Sequence, residues 1–107
     1  MIDIHSHLLP GVDDGSPSID VSVPVLERFA ADGVTRLVLT PHLNASQAAN
    51  APYALHLERL SELRAAAPAQ PELLLGWEIM LDAPGTDLSS MDLTLGRSRA
   101  LLVEFAI

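Results

Sequence analysis

Met1-Ile2-Asp3-Ile4-His5-Ser6-His7-Leu8-Leu9-Pro10-Gly11-Val12-Asp13-Asp14-Gly15 opens the chain and decides how the rest is read. Met1 to Ile4 has the character of a short strand. His5 and His7 follow two residues apart, and in an extended backbone such residues point to the same side. Two imidazoles on one side of a strand end can chelate one metal ion. Pro10-Gly11 then turns the chain. Asp13-Asp14-Gly15 comes next, so a carboxylate from this loop can reach the same pocket. A lone His-x-His is a weak signal, and it gains weight only from further ligands at other strand ends.

Those ligands follow. Val38-Leu39-Thr40-Pro41-His42 ends an apolar run in a histidine, Leu73-Leu74-Leu75-Gly76-Trp77-Glu78 ends one in a glutamate, and Leu101-Leu102-Val103-Glu104 ends another in a glutamate. Four candidate strands thus each finish in a metal-competent side chain. In parallel α/β folds, function gathers at the carboxyl ends of the strands.

Between these runs the pattern is helical. Ser16-Pro17 or Ser18 can open a helix whose apolar face holds Ile19, Val23, Leu26 and Ala30. Pro24 argues against an uninterrupted helix from residue 18 and for a start near Ser22. Asp32-Gly33 should end it with a left-handed glycine. Thr35 to Thr40 reads as a strand buried on both faces, and Leu43 to Asn50 as a loop. A second helix starts at Asn50-Ala51-Pro52, lines one face with Tyr53, Leu57, Leu60 and Leu63, and ends before Pro68. His56 lies off that face and reads as solvated.

Leu73 to Leu75 is the third strand. Leu81 to Arg99 reads as an irregular excursion with at most one helical turn. Arg97 and Arg99 within it can meet phosphate, although solvent exposure is the commoner fate. The fourth strand runs from Ala100 to Phe105 and on toward Ile107. Trp77 reads as a pocket wall or core filler, Asp3 as structural, and Asp13 as a loop residue able to stand in for Asp14. The order of strands and helices makes a parallel α/β unit.

The chain has 107 residues, enough for one small domain, and 49% of them are hydrophobic. Aromatics are only 4%, so the core should be aliphatic. With no cysteine there is no disulfide, no zinc–thiolate site and no thiolate nucleophile. Six arginines and no lysine oppose 14 acidic residues, for a net charge of −8, which disfavours nucleic-acid binding. No apolar stretch approaches a membrane span. Met1 leads straight into the first strand without a signal peptide, so the cytoplasm is the expected compartment.

The sequence resembles the PHP (polymerase and histidinol phosphatase) superfamily. Within it, the likeness is closest to the bacterial manganese-dependent protein-tyrosine phosphatases of capsular and exopolysaccharide synthesis. The resemblance rests on Ile2 to Gly15, Thr40-Pro41-His42, Gly76-Trp77-Glu78-Ile79 and Leu101-Leu102-Val103-Glu104-Phe105, in the family's order. It implies that residues 1–107 are the N-terminal portion of a single PHP domain, the first half of a distorted TIM-like (β/α)7 barrel. It implies metal ligation by His5, His7, Asp14, His42, Glu78 and Glu104, with no catalytic side chain beyond these ligands. His5, His7 and Glu78 would serve one ion, Glu78 and Glu104 a second, and Asp14 and His42 a third.

The nitrogen and oxygen donors suit Mn2+, with Fe or Zn also compatible. Paired ions about 3.5–4 Å apart can clamp a phosphoryl group. The implied substrate is a phosphotyrosine protein, such as a bacterial tyrosine kinase of polysaccharide synthesis. Two alternatives are a small-molecule phosphatase of the histidinol-phosphate type and a catalytically incomplete metal-binding half-domain. The family pattern continues with a further His, a phosphate-binding Arg and an Asp-x-His that these residues lack. Leu43-Asn44-Ala45 also departs from the polar residues and glycine that usually follow Thr-Pro-His. An apolar last strand with an open edge should seek cover. Self-association or a longer chain completing the barrel would supply it.

Overall fold

The computed structural model describes residues 1–105. Its strands are β1 (Ile2–Asp3), β2 (Arg36–Leu39), β3 (His42–Asn44), β4 (Glu72–Leu75), β5 (Glu78–Leu81) and β6 (Leu102–Phe105). Helices α1 (Ile19–Ala31) and α2 (Tyr53–Ala66) lie between them. All pairing among the described residues is parallel, in two three-stranded sheets ordered β1-β2-β4 and β3-β5-β6.

Two runs cross from the lower sheet into the upper one. β2 passes into β3 through Thr40-Pro41, and β4 into β5 through Gly76-Trp77. Pro41 has no N–H for the ladder, so regular pairing stops there. Hydrogen bonds from the Gly76 amide to Leu39 O and from the Glu78 amide to Pro41 O, both 2.9 Å, carry the pairing across the break. The second and third expected strands are therefore kinked, and His42 and Glu78 sit just past the kinks rather than at strand ends. His42 opens β3, Glu78 opens β5, and Glu104 lies inside β6 opposite Met80. The expected extension of the last strand to Ile107 lies outside the described residues.

Each sheet has its own apolar cluster. Leu9, Leu26, Leu37, Leu39, Leu60, Leu63 and Leu73 join the lower sheet to both helices. Leu43, Ala45, Trp77, Ile79 and Leu93 fill the upper one. Burying each such leucine stabilises the fold by about 1.5–3 kcal/mol. The lower cluster's buried set is wholly aliphatic, as expected, whereas Trp77 in the upper one is a core filler, with its indole N–H donating to Asp92 O at 2.8 Å.

Several local expectations need correction. α1 starts at Ile19 and runs through Pro24. The reason is tertiary: Ser22 is fully buried, and its hydroxyl donates to Leu8 O at 2.6 Å, fixing the first turn against the opening loop. The helix does end at Asp32, followed by Gly33 at φ +90°. Residues 43–50 are not a loop, because β3 continues to Asn44 and a 3-10 helix spans Ala45–Asn50. Asp82 holds that turn, accepting from the Ser46 amide at 2.9 Å and from the Ser46 hydroxyl. Residues 81–99 contain two 3-10 turns, Met91–Leu93 and Leu95–Arg97.

The buried face of α2 is His56, Leu60 and Leu63, while Leu57 is exposed. His56 is thus not solvated. Its ring stacks on Trp77 at 4.5 Å, and its Nδ1 has no hydrogen-bond partner among the described residues. Burial pushes its pKa below the ordinary 6.5, against a smaller upward pull from Asp13. On acidification the unfolded chain takes up this proton before the folded one does. The stability contribution is therefore complete above the unfolded value and is lost as pH falls below it. A His56→Phe variant keeps the stack and removes the orphaned nitrogen. It should be more stable by about 1 kcal/mol near neutral pH, with a lead that grows as the pH falls below about 6.5. Urea unfolding at both pH values checks this, and a lead that shrinks on acidification would contradict it.

Candidate metal centre

The histidine pair is held by the residue between its members. The Ser6 amide donates to Thr40 Oγ1 at 3.0 Å, the Ser6 hydroxyl donates to Val38 O at 3.0 Å, and the Thr40 amide donates to Ser6 O at 2.8 Å. This bonding joins the segment after β1 to the end of β2, although regular β1 pairing has already stopped. Asp3 fixes the entry, its carboxylate accepting from the His5 amide at 3.0 Å, which agrees with a structural role.

His5 and His7 both leave Ser6 on the same side, with their Nε2 atoms 3.2 Å apart. Glu78 meets them from β5, its Oε2 lying 3.0 Å from His5 Nε2 and 2.8 Å from His7 Nε2. His42 stands opposite Glu78 in the sheet register, and its Nδ1 is 3.5 Å from the same oxygen. The His42 and His7 rings stack at 4.5 Å and 25°. On its outer side His42 Nε2 lies 3.3 Å from Asp14 Oδ1. The Glu104 carboxyl of β6 comes close enough to that of Glu78 for each to shift the other's pKa. All six residues that the sequence singled out therefore converge.

The electrostatics of this cluster are those of acceptors pressed together. Burial raises the Glu78 carboxyl, but its hydrogen bonds to Glu104 and His5 outweigh that and hold it below the ordinary carboxylate range. Glu104 moves the other way, raised first by its hydrogen bond to Glu78 and then by desolvation. Two carboxyls and two imidazole Nε2 atoms within contact need shared protons or a cation between them. Two ligands bound about 2.0–2.2 Å from one ion stand roughly 3 Å apart. The 2.8–3.2 Å spacings among His5, His7 and Glu78 match that value. The donor set thus fits a divalent ion.

Asp13 proves more than a loop residue. Its carboxylate accepts from the Gly15 amide at 2.9 Å and the His42 amide at 3.1 Å, and lies 3.1 Å from His7 Nδ1. Burial raises its pKa, but the Gly15 and His42 amides, with His7, hold it lower than usual. The signal for this was the Asp-x-Gly spacing, in which an aspartate bonds the amide two residues on. Arg97 is engaged elsewhere, donating to Asp92 at 2.6 Å.

Fold and site together define a parallel α/β protein with a histidine–carboxylate centre at its strand breaks. The family model described as "Capsular polysaccharide synthesis, CpsB/CapC" matches residues 1–107, and the chain belongs to that family. It is 29% identical over 109 residues to YwqE of Bacillus subtilis (strain 168), a tyrosine-protein phosphatase, covering 98% of this chain and 43% of YwqE. A 42-residue stretch is 45% identical to CapC of Staphylococcus aureus, covering 39% of this chain and 16% of CapC. Among solved structures, the crystal structures of YwqE and of CpsB from Streptococcus pneumoniae, described as unique metal-dependent tyrosine phosphatases, provide a match at TM-score 0.68 and 27% identity, covering 99% of this chain and 44% of the matched one. The chain therefore spans less than half the length of these relatives.

Gly15 decides how the loop closes. The Ser16 amide bonds back to His7 O at 2.9 Å, and a Cβ on Gly15 would lie against the carbonyl oxygen and Cβ of His7. Gly33, by contrast, has a positive φ but open space around it. Gly15→Ala should therefore cost roughly 2–4 kcal/mol through forced backbone shifts, and Gly33→Ala only about 1 kcal/mol. Urea unfolding of both variants tests the order, and equal or reversed costs would mean that the loop does not close on His7.

Proposed function

We propose that residues 1–107 form the first half of a distorted (β/α)7 barrel and carry most of the ligands of a metal-dependent phosphoester hydrolase acting on protein phosphotyrosine. The convergence of His5 and His7 Nε2 on one Glu78 oxygen, at 3.0 and 2.8 Å, carries this reading. His5, His7 and Glu78 would hold one ion, Glu78 and Glu104 a second, and Asp14 and His42 a third. Mn2+ is the ion we favour, with Fe or Zn compatible with the same donors. When bound, such ions polarise phosphoryl oxygens and lower the pKa of the attacking water.

The chain's own groups set the arrangement. Glu78 is nearly buried and sits between the histidines and Glu104, so one carboxylate can serve two ions. His42 links Asp14 to that shared carboxylate. With no cysteine in the chain, no thiolate is available as nucleophile. The phosphotyrosine reading is supported by the names of YwqE and of the matched crystal structures. It would place the protein in the cytoplasm with a phosphotyrosine protein, such as a tyrosine kinase of capsule synthesis, as substrate. No helix among the described residues is long and apolar enough to cross a membrane.

The His5→Ala/His7→Ala double variant should lose bound divalent metal while keeping the circular dichroism of the parent. Unchanged metal content by elemental analysis would sink the ligand assignment. Hydrolysis of a phosphotyrosine peptide, assayed on this chain and on any longer form, should stop in EDTA and return best with Mn2+. Preference for histidinol phosphate would move the protein to the small-molecule branch, and metal uptake without turnover in either form would favour a binding half-module.

We also propose that the missing wall of the barrel comes from a second copy or from further polypeptide. β6 pairs only with β5 among the described residues, and Phe105 is 73% exposed. Such an edge invites a partner strand. The isolated chain should associate at micromolar concentration by light scattering, and a folded, active monomer would overturn the need for completion.

A further inference from the structure

Asp13 is better buried than its neighbour, with 10% of its side chain exposed against 84% for Asp14. Three nitrogen atoms face its two oxygens. The Gly15 amide donates to Oδ1 at 2.9 Å, the His42 amide donates to Oδ2 at 3.1 Å, and His7 Nδ1 lies 3.1 Å from that same Oδ2. An ionised carboxylate only accepts, and an imidazole nitrogen donates only when it carries the proton. The contact is complementary when His7 holds its proton on Nδ1. The lone pair of the neutral ring then falls on Nε2, the atom 2.8 Å from Glu78 Oε2 and 3.2 Å from His5 Nε2.

We propose that Asp13 is a positioning residue of the metal centre: its carboxylate holds His7 in the Nδ1–H tautomer and orients the ring so that Nε2 is presented to the ion. The inference rests on the metal reading of His7. The same carboxylate anchors the backbone of His42, so one group sets both stacked rings, 4.5 Å apart. Carboxylates behind ligating histidines act in this way at many metal sites. Asparagine cannot replace Asp13, because three donors would face one acceptor oxygen and an NH2 group. Asp14 has no comparable hold on the backbone, and its exposed oxygens stay available to an ion.

The test uses the 107-residue protein with Mn2+ and Zn2+ as probes. Long-range 1H–15N spectra of the protein loaded with diamagnetic Zn2+ should show His7 protonated on Nδ1 with no proton on Nε2, and Asp13→Asn should weaken that Nδ1–H signal. Mn2+ affinity, read by electron paramagnetic resonance titration, should fall about 10–100-fold in Asp13→Asn and vanish at this site in His7→Ala. An Nε2–H tautomer in the Zn2+-loaded unsubstituted protein overturns the proposal, and that measurement needs no variant to fold. Parental Mn2+ affinity in Asp13→Asn overturns it while leaving the metal reading intact. Loss as complete as in His7→Ala would make Asp13 a ligand rather than a positioning residue. Failure of the unsubstituted protein to take up Mn2+ overturns the metal reading itself.

Discussion

One oxygen of Glu78 lies 2.8, 3.0 and 3.5 Å from nitrogen atoms of His7, His5 and His42. The same carboxyl also meets Glu104. Such a collection of acceptors holds together only with protons or a cation among them. It has to be imposed by the fold, because the free side chains would separate into water. The imposition comes from the register that sets His42 beside Glu78 and from Ser6 bonded into the end of β2. Two apolar clusters, one on each side of the strand breaks, supply the burial that keeps this arrangement in place. The centre therefore sits between two packed clusters.

The strand breaks explain how a parallel sheet delivers side chains to one place. A regular strand alternates its residues between two faces. At Thr40-Pro41 and Gly76-Trp77 that alternation is interrupted while the backbone bonding continues through Pro41 O and Leu39 O. His42 and Glu78 then restart the pleat together, at matched positions. Trp77, buried beside Glu78 and stacked on His56, wedges the second break from the helix side. Thr40 seals the first from within, its hydroxyl hydrogen-bonded to both the amide and the carbonyl of Ser6.

His5, His7, His42, Glu78 and Glu104 were legible because each follows an apolar run, the strongest pattern a sequence carries, whereas Asp14 came only from the family resemblance. The breaks were less legible: Leu73-Leu74-Leu75-Gly76-Trp77-Glu78 reads as one strand, and only the three-dimensional pairing separates β4 from β5. The path of α1 through Pro24 depends on Ser22 reaching Leu8 O, a contact between segments that propensity cannot anticipate. His56 was misread for a related reason. The apolar stripe of α2 suggested that Leu57 faces inward, but the helix turns His56 toward Trp77 instead. Asp13 and Asp14 are adjacent and chemically identical, and their roles separate only through what the closed loop places around each.

If the centre acts on a phosphoester as proposed, the acidity of the chain bears on how it would attract one. Arg28, Arg36, Arg59 and Arg97 each stand beside a carboxylate, namely Asp32, Glu72, Glu62 and Asp92. Exposed pairs of this kind add little stability, but they leave less unopposed positive charge on the surface. Arg64 instead donates to Leu73 O at 2.6 Å. Beyond about 8 Å the remaining surface charge is screened at physiological salt, so an anionic substrate responds mainly to the charge of the centre. Glu78, Glu104 and Asp14 would bring three negative charges there, and two or three divalent ions would reverse the sign. On the proposed reading the protein surface can stay acidic, because attraction for phosphate would be delegated to ions held by imidazoles and a few carboxylates. The histidines matter for that balance: each adds a ligand without adding negative charge, and replacing them with carboxylates would give back the net charge that the ions provide.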